Sequence, residues 1–203
     1  MGRPQLLVIR HGETEWSRTG RHTGRTDVPL NDQGRDEARD AARTLDGWNI
    51  TCAYTSPLGR ARETAELVEP ARGGVVIDAD LVEWDYGIYE GRTTPEIREE
   101  EPAWSVWTHQ MKGGETIEQV GARVDRFLTR VLGELDAGNA AVFAHGHVLA
   151  ILIARWCGLP PIEGRRFPLA TATVSLLGGH REDRVIRALN HRVGDALDPP
   201  SRT

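Results

Sequence analysis

Lysine is almost missing from this chain. Lys112 is the only one among 203 residues, and arginine carries the remaining side-chain positive charge. Positive charge is also in deficit, with a formal net charge of −5. That excludes nucleic acid as the main partner, because binding a phosphate backbone needs a basic face. Cysteine is scarce: Cys52 and Cys157 lie far apart, each in an apolar setting. Buried free thiols are expected rather than a disulfide, and with them a reducing, cytoplasmic setting. Long hydrophobic runs are absent. The longest, Val148 to Ile153, is far too short to span a bilayer. The N-terminus lacks the apolar stretch of a signal peptide, so no membrane partner is expected.

What is present alternates in type along the chain. Residues 5–9, 51–55, 75–81, 140–144, 171–177 and 185–190 read as strands, the third at an edge and the last two joined by a Gly-rich turn. Asn31 caps a helix to about Leu45, and Ser56–Pro57 reads as an N-cap and first helical residue. The clearest helix starts at Glu115 or Thr116. Ile117, Val120, Val124, Phe127, Val131 and Leu135 follow the spacing of one helix face. A further helix runs from His147 to about Cys157, closed by Gly158 and Pro160. The polar loop over 10–30 is long enough to suggest function, and residues 83–114 look irregular. Strands alternating with helices imply an α/β fold, a mostly parallel central sheet flanked by helices in three layers. One domain over 1–192 is expected, with 83–114 as a substrate-side insertion and 193–203 as a flexible tail.

Ligands bind at the carboxyl ends of strands in such sheets. Arg10 and His11 follow the first strand, Arg60 starts the helix after the second, Glu83 follows the third, and His145 follows the 140–144 strand. Alone, each is an ordinary strand-end or helix residue. Together they suit phosphoryl transfer, which needs positioning and positive charge on the phosphoryl oxygens. Arginine forks supply the charge. A neutral histidine is a nucleophile that a phosphate dianion does not repel. His11 is favoured because Gly12 permits a tight turn whose carbonyl can orient the ring. Glu83 would protonate the leaving alkoxide and then activate water. His145 and His147 have no ligand-spaced partners, so no metal is expected. Trp84, Trp104 and Trp107 read as packing residues.

Five ordered segments extend this pattern. Arg10–His11–Gly12–Glu13–Thr14 resembles the RHG signature of the histidine phosphatase superfamily, which includes phosphoglycerate mutases and many phosphatases. Thr23–Gly24–Arg25–Thr26–Asp27–Val28–Pro29–Leu30, Ser56–Pro57–Leu58–Gly59–Arg60–Ala61, Glu83 with Gly87 and Glu90–Gly91, and His145–Gly146 resemble its other motifs. The resemblance implies a phosphoglycerate mutase-like fold. It implies His11 as the phosphorylated nucleophile, Glu83 as proton donor, and Arg10, Arg60 and His145 completing the phosphate pocket. It places Ser17, Thr23, Gly24 and Gly146 against substrate. The expected traffic is a small phosphorylated substrate in and inorganic phosphate out, with no cofactor.

Ser17 stands where the family commonly has asparagine; a shorter hydroxyl donates to phosphate with less reach. Glu83–Trp84–Asp85–Tyr86–Gly87 resembles a subgroup of mycobacterial-type acid phosphatases and sedoheptulose bisphosphatases. Mutases typically carry an arginine after the glutamate and a later Arg–Arg pair. Here Trp84 and Trp107–Thr108–His109 take those places. Hydrolysis is therefore expected, ahead of phosphoglycerate mutase activity or non-catalytic phospholigand binding. Arg18, Arg21, Arg25, Arg92 and Arg98 are candidates for the mouth of the site. A homodimer through the third strand or the Trp-rich segment is a further expectation.

Overall fold

A computed structural model describes residues 4–71, 73–192 and 195. The order is β1 (Leu6–Arg10), α1 (Glu15–Thr19), α2 (Asp32–Thr44), β2 (Ile50–Thr55), α3 (Gly59–Val68), β3 (Val76–Ile77), α4 (Thr94–Glu100), α5 (Ile117–Glu134), β4 (Asn139–Ala144), α6 (Gly146–Trp156), β5 (Val174–His180) and β6 (Asp183–His191). The strands form one sheet in the order β3-β2-β4-β1-β5-β6. β1 to β4 are parallel, and β5 runs antiparallel to both its neighbours, β1 and β6.

Successive strand side chains point to opposite faces, and the sheet has apolar cover on both. Leu6, Val8, Ala140, Val142 and Ala144 pack with α5, α6 and the Trp84–Met111 region. Leu7, Ile9, Ala141 and Phe143 pack with α2 and α3. This is the three-layer α/β arrangement, and it explains why β1 and β4 are uninterrupted apolar runs. Both stop where the chain reaches the sheet's carboxyl edge, at Arg10–His11 and His145.

Several expectations need correction. The third strand holds only Val76 and Ile77, because Asp78 accepts the Asp80 N–H at 2.9 Å and turns the chain into a 3-10 turn over Ala79–Leu81. Ser56 is not an N-cap. α3 starts two residues later, after Leu58, and its Gly59 N–H is taken by the Asp27 carboxylate at 2.9 Å. β5 starts at Val174, because Ala172 has φ 49 and donates back to the Arg10 carbonyl at 3.0 Å. Its glycines lie within the strand, and the turn to β6 is made at Arg181, φ 52. Cys52 and Cys157 are free, as expected, but half-buried. The irregular segments hold two short helices, α1 and α4. Each is closed by a capping box, Thr14 with Ser17 and Thr93 with Glu96. The expected tail lies outside the described residues apart from Asp195.

Candidate active site

A cavity of about 290 Å³ opens at the carboxyl edge of the sheet, above β1 and the start of α6. Arg10, His11, Ser17, Thr23, Glu83 and Gly146 line it. Arg60 and His145 are fully buried. His145 has its ring centroid 5.2 Å from that of His11, the nucleophile candidate.

His11 is held through both its backbone and its ring. Its backbone N–H donates to the Ala144 carbonyl of β4 at 3.0 Å. Its ring Nδ1 meets the Gly12 carbonyl at 2.7 Å. A carbonyl only accepts, so Nδ1 carries the proton and Nε2 keeps its lone pair. Burial, and then the charges of Arg10 and Arg60, push the His11 pKa well below the ordinary histidine value. The ring is therefore neutral at pH 7. Gly12 is needed for a different reason from the one expected. Its φ is not in the left-handed region; instead a Cβ there would sit 2.2 Å from the Gly34 carbonyl oxygen at the start of α2.

Arg10 donates to the Leu169 carbonyl at 2.5 Å. Its Nε is buried without a partner among the described residues. Such an orphaned donor costs free energy unless something in the cavity accepts from it. Arg60 faces the loop that follows α1. It donates to the carbonyls of Thr23 (3.2 Å), Gly24 (3.0 Å) and Thr26 (2.9 Å). Its Nε donates to His145 Nδ1 at 3.1 Å. Arginine is always the donor, so His145 carries its proton on Nε2, 2.8 Å from Ser56 Oγ. Burial foremost, with the nearby cations, holds His145 neutral as well.

Glu83 spans the gap to α6. Its Oε1 accepts from the N–H groups of Trp84 (2.9 Å) and Val148 (2.9 Å), and its Oε2 from that of His147 (3.0 Å). The carboxyl group thus occupies the N-terminus of α6, where free N–H groups and the helix dipole favour it. A carboxylate oxygen has two lone pairs. Oε1 has spent both, so Oε2 is the oxygen with capacity left for a proton.

Ser17 reaches the cavity wall, but its hydroxyl is engaged. It accepts from the Thr14 N–H at 2.9 Å and lies 3.0 Å from the Thr14 carbonyl, closing the cap of α1. The Thr23 hydroxyl likewise donates to the Arg21 carbonyl at 3.1 Å. Of the candidate mouth arginines, Arg21 reaches the cavity; Arg18 and Arg92 pair with Glu15 and Glu100 outside it.

The lining also includes residues that sequence reasoning gave no site role: His22, Tyr86, Trp107, Arg165 and Phe167, with His147. Tyr86 and His147 are joined at 2.6 Å through the phenol oxygen and Nδ1. Burial raises the Tyr86 pKa well above 10 and lowers that of His147, and it lowers that of His22 to about 4. Three rings capable of charge are thus neutral. Tyr86 sits in the Glu83–Gly87 motif, which could have pointed to it. Arg165 lies far from any motif and carries no such signal.

The family model for the histidine phosphatase superfamily (branch 1) matches residues 6–192. The chain belongs to that family. It is 40% identical over 195 residues to an acid phosphatase of Mycobacterium tuberculosis, covering 92% of this chain and 94% of that protein. It is 38% identical over 185 residues to the sedoheptulose 1,7-bisphosphatase of Saccharomyces cerevisiae, covering 77% and 68%. Among solved structures, a Mycobacterium tuberculosis open reading frame product superposes with a TM-score of 0.88 at 40% identity, over 93% of this chain and 98% of that one. Membership of the histidine phosphatase superfamily supports phosphatase activity. Among the described residues, no helix is long and apolar enough to cross a membrane.

Proposed function

We propose that this histidine phosphatase is a phosphomonoesterase acting on small phosphorylated metabolites through a phosphohistidine on His11. The observation that carries the reading is the buried, neutral His11 ring, its Nδ1–H fixed on the Gly12 carbonyl and its Nε2 without a partner among the described residues. The Nε2 lone pair attacks phosphorus, and the P–O ester bond breaks. Its electron pair leaves with the alkoxide, which takes a proton from Glu83 Oε2. Arg10, whose Nε lacks a partner among the described residues, holds the phosphoryl oxygens as charge redistributes, and Arg60 and His145, buried behind the cavity, join it when phosphate displaces their present partners, the Thr26 carbonyl and Ser56 Oγ. Water then attacks the phosphohistidine and gives its proton to Glu83. The P–N bond breaks, inorganic phosphate leaves, and neutral His11 returns. Thr23, Ser17 and Gly146 border the substrate, while Gly24, expected beside them, does not line the cavity and gives its carbonyl to Arg60.

The rest of the lining favours hydrolysis over mutase action. It presents neutral rings, and its two cations are already paired, Arg21 with Glu96 at 3.3 Å and Arg165 with Glu163 at 3.3 Å. A phosphoglycerate mutase must grip a substrate carboxylate and retain a bisphosphate, which calls for free cations. We place the reaction in the cytoplasm, in keeping with the two free thiols. A homodimer through the third strand would use Val76 and Ile77, both exposed on edge strand β3; sedimentation tests it.

The deciding experiment is phosphate release, with EDTA present, from 3-phosphoglycerate, nucleotides, sugar monophosphates and sedoheptulose 1,7-bisphosphate. Release from one or more supports the phosphatase reading. Primer-dependent isomerisation of 3-phosphoglycerate without release would replace it with a mutase. Binding without any turnover would mark a non-catalytic phospholigand protein.

A further inference from the structure

Glu83 sits on a segment that belongs to neither a strand nor a helix, yet Glu83 is only 4% exposed. An irregular buried segment must find partners for its backbone groups elsewhere. On one side of Glu83 the partner is Arg123 of α5, itself 5% exposed. One of its terminal nitrogens donates to two carbonyls, Val82 at 2.5 Å and Asp80 at 2.7 Å. The rest of the fork is bidentate on Glu115, with Nε to Oε1 at 3.0 Å and the other terminal nitrogen to Oε2 at 3.2 Å. On the other side of Glu83 the partner is Glu115. Its Oε2 accepts the Asp85 N–H at 3.1 Å, its carbonyl accepts the Trp84 indole N–H at 2.8 Å, and its N–H donates to the Asp85 carbonyl at 3.0 Å. The chain then turns at Gly87, φ 54, where a Cβ would lie 2.1 Å from the Lys112 carbonyl oxygen.

From this geometry we infer that Arg123 and Glu115 are positioning residues for Glu83: one partly buried ion pair grips the backbone immediately before and after the proton-transfer carboxyl. The inference rests on Glu83 being the acid. Neither residue lines the cavity, so neither touches substrate. Only a guanidinium satisfies this site. Its planar fork serves two carbonyls and a carboxylate together, while an ammonium is a single point charge. A general acid must lie within hydrogen-bond reach of the leaving oxygen, so a small shift of residues 82–85 weakens proton transfer without changing the nucleophile or the phosphate pocket.

The test reads leaving-group dependence. An alkyl phosphate needs its leaving oxygen protonated, and 4-nitrophenyl phosphate does not. The ratio of kcat/KM values, alkyl over aryl, isolates that proton, because kcat/KM covers the steps up to leaving-group departure and omits phosphohistidine hydrolysis. Glu83→Gln should lower the ratio by roughly 10²- to 10⁴-fold, the range for general acid catalysis. Arg123→Lys and Glu115→Gln should each lower it by about 10-fold or more, as part of the same effect. In a Glu83→Gln background neither should lower it further, since residues acting as one unit are non-additive. A role in stability alone would reduce both substrates in proportion and leave the ratio fixed, which overturns the inference. A further drop on top of Glu83→Gln would overturn it too. If Arg123→Lys fails to fold, Glu115→Gln, which keeps its backbone contacts, gives the same reading. If Glu83→Gln itself leaves the ratio unchanged, the assignment of Glu83 as acid fails first, and that result is separable from the others.

Discussion

His11 and Glu83 face one cavity and are held there by different kinds of structure. His11 continues β1, the strand that pairs with β4 on one side and β5 on the other. Its ring is set by its own neighbour's carbonyl and its backbone by β4. Glu83 sits in a segment without sheet pairing, fixed by side chains: Arg123 and Glu115 beneath it, and the first turn of α6 in front. The nucleophile is part of the sheet's hydrogen-bond ladder; the acid depends on an ion pair. Sheet ladders at a domain centre open only with global unfolding, whereas segments held by few groups open locally.

The largest expected effect breaks the nucleophile side. His11→Ala should lose at least about a thousandfold in turnover, the usual scale for removing a nucleophile, and should trap no phosphoenzyme in a rapid alkaline quench with labelled substrate, conditions that preserve the acid-labile phosphohistidine of the parent protein. Label still attached to the mutant would sink the assignment. Gly12→Ala is the next test. Its methyl group would overlap the Gly34 carbonyl, so a loss of about 3 kcal/mol in urea denaturation is expected, together with most of the activity. Native stability would mean that α2 yields easily and the close packing matters little. Hydrogen exchange sharpens the contrast between the two sides. The amides of Asp85 and Ile88 should exchange through local opening, faster than the amide of His11, which should exchange only with global unfolding. Equal protection would dissolve the distinction.

The smallest effect concerns pH. His22, with a pKa near 4 in the fold against about 6.5 unfolded, is neutral where it is buried. Between those values the unfolded chain binds more protons, so stability falls as pH drops from about 6.5 toward 4. His11, His145 and His147 shift in the same direction and add to it. Replacing His22 by Asn should remove roughly 2 kcal/mol of that acid sensitivity, seen as a flatter denaturation midpoint between pH 7 and 4.5. An unchanged slope would show that His22 does not contribute.

The nucleophile side was also the legible side. Apolar runs ending in Arg10–His11 and His145 announce strands and their exits, and the 3.6-residue period from Ile117 to Leu135 announces α5. The acid side was harder to anticipate. Nothing local marks Arg123 as different from other helix arginines, because its partners Val82 and Glu115 meet it only in the folded chain. The α4 capping box, Thr93 with Glu96, went unread inside a stretch expected to be irregular. Ser17 was expected to face phosphate; its position was legible, but the hydrogen bonds that occupy its hydroxyl were not.

The placement of β1 also has a consequence in time. His11 lies near the start of the chain, while the carbonyl that receives its N–H belongs to Ala144, and β5, beyond residue 173, closes the other flank of its strand. On a ribosome the nucleophile is therefore made long before anything can hold it in place. Contacts so distant in sequence form late and slowly, so a nascent fragment bearing the whole RHG segment carries the histidine but no enzyme.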